Sequence, residues 1–125
     1  QKRHRILIVG IRNDVGVRFR VPSPEAFADI DNSVSKALSG IPTWATNQEL
    51  TKQSPQVVQR LEKILPGQNA FTADLPPELQ LNVGGAKISQ IYRRLKADEP
   101  SYTITGSGGG GTHVYHWAET RALTN

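Results

Sequence analysis

The run Ile6–Ile11 constrains this chain more than any other feature. It is apolar and β-branched, is closed by the turn signal Asn13-Asp14, and reads as a buried strand. Continuous apolarity, where alternation would mark a half-exposed strand, suggests cover on both faces, as in the sheet of an α/β protein. The residues after it cannot complete such a sheet, because Pro22 and Pro24 break the chain into an extended linker. The chain also starts directly on the basic entrance to this strand, with no initiator Met and no leader. It stops at Thr124-Asn125, where Thr124 resembles the N-cap of a helix that does not arrive. Both ends therefore lead to the expectation of a segment excised from a larger enzyme.

With 125 residues and 37% apolar content, the chain can build one domain with a modest core, and eleven Gly with eight Pro imply extensive loop. No apolar run approaches bilayer length and no secretory signal opens the chain, so a cytoplasmic protein is expected. The absence of Cys excludes a disulfide framework, a thiolate zinc site and a cysteine nucleophile within these residues. The net charge of +4 is unevenly spread. Lys2, Arg3, Arg5, Arg12, Arg18 and Arg20 meet only Asp14 in the first stretch, and Lys87, Arg93, Arg94 and Lys96 form a second knot. Such clusters suit a polyanion, whose neutralised phosphates release condensed counterions; a solvated basic face is the alternative.

A short helix is expected over Ser33–Leu38, closed by Gly40 at a C′ position with Pro42 beyond it. A second has Ser54 as N-cap, Pro55 at N1 and one apolar stripe of Val57, Val58, Leu61, Ile64 and Leu65, ended by Pro66-Gly67. Residues 70–83 read as loop, with Pro76-Pro77 forbidding regular pairing. Lys87–Leu95 and Ser101–Thr105 read as short strands, and the Gly106–Gly111 run separates the latter from Val114-Tyr115. The fold class is α+β: a small irregular domain with short antiparallel strands, two short helices and long Gly/Pro-rich loops.

Several apparent motifs dissolve on inspection. Gly106, Gly108 and Gly111 satisfy G-x-G-x-x-G, but a strand-like Thr-His-Val-Tyr-His-Trp stands where a dinucleotide fold needs a helix. Bare backbone of this kind suits close approach to a DNA backbone or groove, or a plain hairpin loop. His113 and His116 lack partners at ligand spacing, so no metal is expected, and Asp29 and Asp31 read as surface or capping acids. Trp44, Phe71 and Trp117 read as core or interdomain plugs. The strongest signal is the entrance to the first strand. In an extended segment Gln1, Arg3 and Arg5 share one face, with Lys2 and His4 on the other. Two guanidiniums and an amide so aligned can grip a planar polar edge or a phosphate by paired hydrogen bonds.

On these landmarks the chain resembles the cytosine-5 DNA methyltransferases. Gln1-Lys2-Arg3-His4-Arg5 and the strand after it resemble the Gln-x-Arg-x-Arg block of that family, and Arg121-Ala122-Leu123-Thr124 resembles the start of its next block. Between the two blocks the family places its target recognition domain. Asn82-Val83-Gly84-Gly85-Ala86, Ile91-Tyr92-Arg93-Arg94-Leu95 and Pro100-Ser101-Tyr102-Thr103-Ile104-Thr105 before the glycine run resemble its late recognition segment. The common form has Pro before the Thr-Ile-Thr step, where this chain has Tyr102. The likeness is specific at both ends and over residues 82–121, and looser over 20–80.

The resemblance implies three parts: residues 1–20 as the end of the catalytic-domain sheet, 21–120 as the target recognition domain, and 121–125 as the start of the return to the catalytic domain. It implies that Arg5 contacts a flipped-out cytosine while Arg3 and Gln1 position the strand. Gly84, Gly85, Lys87, Ser89, Gln90, Arg93, Arg94, Gly106, Ser107, Gly108, Gly109, Gly110, Gly111 and Thr112 would be DNA contacts, with only one of the adjacent Arg93 and Arg94 facing the DNA if the segment is a strand. Arg5 as a structural arginine paired to a carboxylate is the alternative. The implied partners are double-stranded DNA, in a bacterial nucleoid and a restriction-modification setting, and the catalytic domain of the same parent chain. S-adenosylmethionine would serve the intact enzyme and none would be bound by this segment, which should be inactive alone. A transfer-RNA-modifying relative and a stand-alone basic nucleic-acid-binding module are the rival readings.

Overall fold

The computed structural model describes residues 5–85, 87–104 and 111–123. Gln1, Arg3, Gly106–Gly110 with Ser107, and the Thr124 cap lie outside them. The described chain divides by burial. No residue from 5 to 32 is buried, whereas the segment from Ser33 to Ala122 supplies every buried residue.

The run Ile6–Ile11, expected as a buried strand, has no strand pairing among the described residues, and Ile6 and Ile8 are 92% and 91% exposed. Among the described residues no segment pairs with this run or covers it, so its apolar side chains stay in solvent. Two 3₁₀ turns, Asn13–Val15 and Pro24–Phe27, interrupt the remainder of this arm.

Helix α1 spans Val34–Ser39. The Ser33 hydroxyl accepts the Lys36 amide at 3.3 Å, and Asp31 accepts the Ser33 amide at 2.9 Å. Asp31 is thus a capping acid, and its bonds from Ser33 hold its carboxyl below the usual range. Gly40, expected at the C′ position, stands instead as the C-cap. It lies at φ −84°, in the right-handed region, so the helix ends without using glycine's extra freedom. The start of α1 docks through backbone bonds from Val34 and Ser35 to the carbonyls of Glu99 and Ala97, both at 3.0 Å.

Helix α2 spans Pro55–Lys63, with the Ser54 hydroxyl accepting the Val57 amide at 3.4 Å and proline in the first turn, where a missing N–H costs nothing. Leu61 and Ile64 are fully buried, but Leu65 falls off the stripe and is 62% exposed. Arg60 takes the inward position instead: its Nε donates to the Leu79 carbonyl at 2.7 Å, and its guanidinium lies 4.9 Å from the Tyr92 ring centre. After α2, Gly67 at φ +84° reverses the chain.

The core is one apolar cluster of Leu61, Ile64, Ala70, Leu75, Ile91, Tyr92, Tyr115 and Ala122, with a smaller one of Val34, Leu95 and Val114 beside it. Around it the backbone pairs sparsely. Tyr115 bridges Arg94 in parallel and Ala122 in antiparallel sense, and Gly67 to Ala70 lies against Ile91 to Arg94 through single bonds of 3.0–3.1 Å. The strands expected over 87–95 and 101–105 do not extend beyond isolated bridges among the described residues. Turns at Ile88–Ile91 and Gln90–Arg93 and a left-handed Tyr92, φ +51°, curl the first stretch too tightly to pair.

Candidate nucleic-acid interface

The second basic knot separates into four different environments. Arg94 is buried, and its guanidinium is spent on main chain. Nε donates to the His116 carbonyl at 2.9 Å; Nη1 donates to the Leu61 and Ile64 carbonyls, both at 3.0 Å; Nη2 donates to the Trp117 and Glu119 carbonyls at 2.6 and 3.4 Å. These five bonds match the donor capacity of a guanidinium. They cap the last carbonyls of α2, where a cation also meets the negative end of the helix. Burial disfavours the charge and lowers the Arg94 pKa. Expected among the DNA contacts, Arg94 has no donor left for one; it fastens α2 to the 116–119 turn.

His116 completes that fastening. Its Nδ1 accepts the amides of Ala118 and Glu119 at 3.1 and 3.0 Å, shaping the turn that offers its carbonyls to Arg94. The ring stacks on Trp117 at 3.9 Å. Burial pushes its pKa down, with Glu119 opposing. His116 is therefore a packed, hydrogen-bonded histidine. Among the described residues no group of His, Asp and Glu is arranged to hold a metal.

Lys96 is likewise engaged, its ammonium on Glu99 at 2.7 Å and its stem packed against Gly67. That leaves Arg93 and Lys87. Arg93 is half-buried, its guanidinium carbon 4.1 Å from the Tyr102 ring centre. The Tyr102 hydroxyl donates to the Arg93 carbonyl at 2.8 Å, so one tyrosine holds both the backbone and the side chain of Arg93. Burial raises the Tyr102 pKa, which keeps that hydroxyl a donor. A groove of about 340 Å³ opens here, lined by Gln90, Arg93, Lys96, Tyr102 and Thr103 among others. Lys87 is exposed, its ammonium 5.8 Å from the Phe71 ring centre.

The remaining expected contacts fall in two groups. Gly84, Gly85 and Ser89 are exposed, with open space where a Cβ would stand on either glycine, and Gln90 is half-buried in the turn before Arg93. Gly111 is buried at φ +89°, against the Tyr92 ring, and Thr112 beside it is half-buried. Gly111 therefore packs inward and anchors the end of the glycine run. Arg5 is exposed on the arm, far along the chain from this face. Sequence reasoning missed Arg60 and Tyr102 as organisers. The i, i+3 placement of Arg60 after Val57 on the α2 stripe was the available signal for the first.

Two relatives align with the whole of this chain. The type II methyltransferase M.BbvI of Brevibacillus brevis is 56% identical over 125 residues, and the type II methyltransferase M.NgoFVII of Neisseria gonorrhoeae is 45% identical over an alignment of 131. The DNA (cytosine-5-)-methyltransferase M.ApeKI of Aeropyrum pernix is 41% identical over 66 residues, 53% of this chain and 13% of that protein. Along its whole length the chain is similar to part of two type II methyltransferases, and over about half of it to part of a DNA cytosine-5 methyltransferase. It spans about a third of the length of the first two relatives, 33% and 34%. No family model and no solved structure matches the segment. Both buried arginines, Arg60 and Arg94, are thus scaffold, while Lys87 and the Gly84-Gly85 turn are exposed and Arg93 is half-buried.

Proposed function

We propose that this chain is the DNA-target-recognition part of an enzyme that methylates carbon 5 of a flipped-out cytosine in double-stranded DNA. The observation that supports the reading is identity of 56% and 45%, along the whole of this chain, with about a third of two type II methyltransferases, joined by the name of the third relative, a DNA cytosine-5 enzyme. S-adenosylmethionine supplies the methyl group when bound to the intact enzyme, and no residue of this segment is assigned to hold it. The chain has no Cys, so the attacking thiolate is assigned to the rest of the parent chain. Residues 1–20 join the catalytic sheet, 21–120 recognise the target, and 121–125 lead back. Arg5 contacts the flipped base while Arg3 and Gln1 position its strand, whereas Lys87, Arg93 and the open glycine turn meet duplex DNA in the cell interior. The exposed apolar arm supports this division, because Ile6–Ile11 needs a cover that the described residues do not provide.

The test compares duplex DNA with transfer RNA as substrates of the full-length protein, then measures Arg5→Ala on the preferred one. Methyl transfer to DNA cytosine is expected, with Arg5→Ala lowering kcat more than DNA affinity. Methylation confined to transfer RNA would overturn the reading. So would methyl transfer by the segment unaided, which would place the catalytic groups inside it.

A further inference from the structure

We infer that Arg93, held by Tyr102, reads a guanine beside the target cytosine in the major groove, and that Tyr102 is its positioning residue. This rests on the proposed DNA-recognition role and goes further, choosing base over phosphate for one side chain.

The choice rests on how Arg93 is held. A phosphate contact tolerates a mobile cation, because a tetrahedral anion accepts from many directions. A base edge demands a guanidinium fixed in position and orientation, since only then do two N–H groups meet O6 and N7 of guanine together. Arg93 carries that constraint twice. The Tyr102 ring lies 4.1 Å from its guanidinium carbon, and the Tyr102 hydroxyl fixes its carbonyl at 2.8 Å. The backbone around it is fastened as well: Arg93 donates to the Gln90 carbonyl at 3.2 Å and its own carbonyl accepts the Tyr115 amide at 3.2 Å. Its neighbour Arg94 anchors that stretch of chain to the core through five carbonyls. With one face against the ring, the donor edge of the guanidinium is what remains to address the groove lined by Gln90 and Thr103. Of the other two cations lining the groove, Arg94 is spent on main-chain carbonyls and Lys96 is paired with Glu99 at 2.7 Å.

The experiment uses the full-length methyltransferase and a duplex library with randomised flanks around cytosine, read by bisulfite sequencing. Wild type should require guanine at one or more positions. Arg93→Lys keeps the charge, loses the fork, and should relax one of those positions by about tenfold to a hundredfold. Tyr102→Leu should relax the same position, and Tyr102→Phe, which keeps the ring, should relax it less. A measurement on wild-type protein stands independently of any variant's folding. Replacing that guanine by 7-deazaguanine, which lacks the N7 acceptor, should slow methylation by at least about tenfold. Uniform slowing by Arg93→Lys across all sequences, or indifference of wild type to 7-deazaguanine at every guanine, would overturn the assignment while leaving DNA recognition intact. A wild-type enzyme that methylates no duplex DNA would instead overturn the reading beneath it.

Discussion

The Tyr92 amide donates to the Gly111 carbonyl at 2.7 Å, and the Tyr92 ring fills the space a Gly111 side chain would need, with ring carbons 2.8–3.1 Å from the ideal Cβ position. Both residues have positive φ, +51° and +89°, a conformation costly for an aromatic residue and ordinary for glycine. Arg60 and Tyr115 hold the Tyr92 ring from other sides, at 4.9 and 5.6 Å. The glycine run therefore ends on a fixed post in the core.

Gly111→Ala should destabilise the protein by about 2–4 kcal/mol, combining left-handed strain with overpacking against Tyr92. Gly84→Ala and Gly85→Ala, with open space around them, should stay within about 0.5 kcal/mol. Thermal unfolding of the three variants separates the anchored glycine from the exposed ones, and equal losses would refute the distinction.

Arg94→Met should cost at least about 3 kcal/mol, because it strips partners from several carbonyls in a buried setting. Arg94→Lys should not restore it, since one ammonium cannot span five acceptors. Arg93→Met should cost no more than about 1 kcal/mol of stability while altering DNA choice. Denaturant titration beside methylation assays should show this crossover: adjacent arginines, one governing folding and the other recognition.

The turn at 116–119 should weaken in acid. His116 must be neutral to accept two amides, and burial depresses its pKa below the ordinary 6.5. The unfolded chain therefore takes up a proton first as pH falls. The stabilisation is complete above about pH 6.5 and is lost as pH drops from there through the lowered value. Of the charges facing His116, Glu119 resists the loss, and Arg121 and Arg94 promote it. Stability measured across this range should lose most of its slope in His116→Asn, whose side-chain oxygen can accept the same amides without titrating.

Ile8→Asp should leave the stability of the 33–123 core unchanged, because Ile8 is 91% exposed. In the full-length enzyme the same change should be strongly destabilising, as for a charge placed unpaired in a sheet interior. Limited proteolysis of both forms would decide; a harmless Ile8→Asp in the full-length protein would remove the sheet-docking role of this run.

Much of α2 was legible because its signals are local: Ser54, Pro55 and the spacing of Leu61 and Ile64 act within two turns. The role of Arg94 was not legible. Its acceptors lie 22–33 residues away and are main-chain atoms that leave no trace in side-chain identity. In sequence, a buried arginine on carbonyls and an exposed arginine awaiting DNA look alike. Charge clustering therefore grouped Arg93, Arg94 and Lys96, and packing separated them. The strands inferred from Lys87–Leu95 failed for a related reason. Their β-branched and aromatic residues fit a pleat, but Tyr92 is left-handed and its amide bonds the Gly111 carbonyl, a partner distant in sequence.

The Arg94 cage bears on how such a segment can change. Its acceptors are the peptide oxygens of Leu61, Ile64, His116, Trp117 and Glu119, which every amino acid possesses. One arginine can thus keep the platform assembled while the loops it supports exchange residues, so a new target preference can arise without rebuilding its foundation.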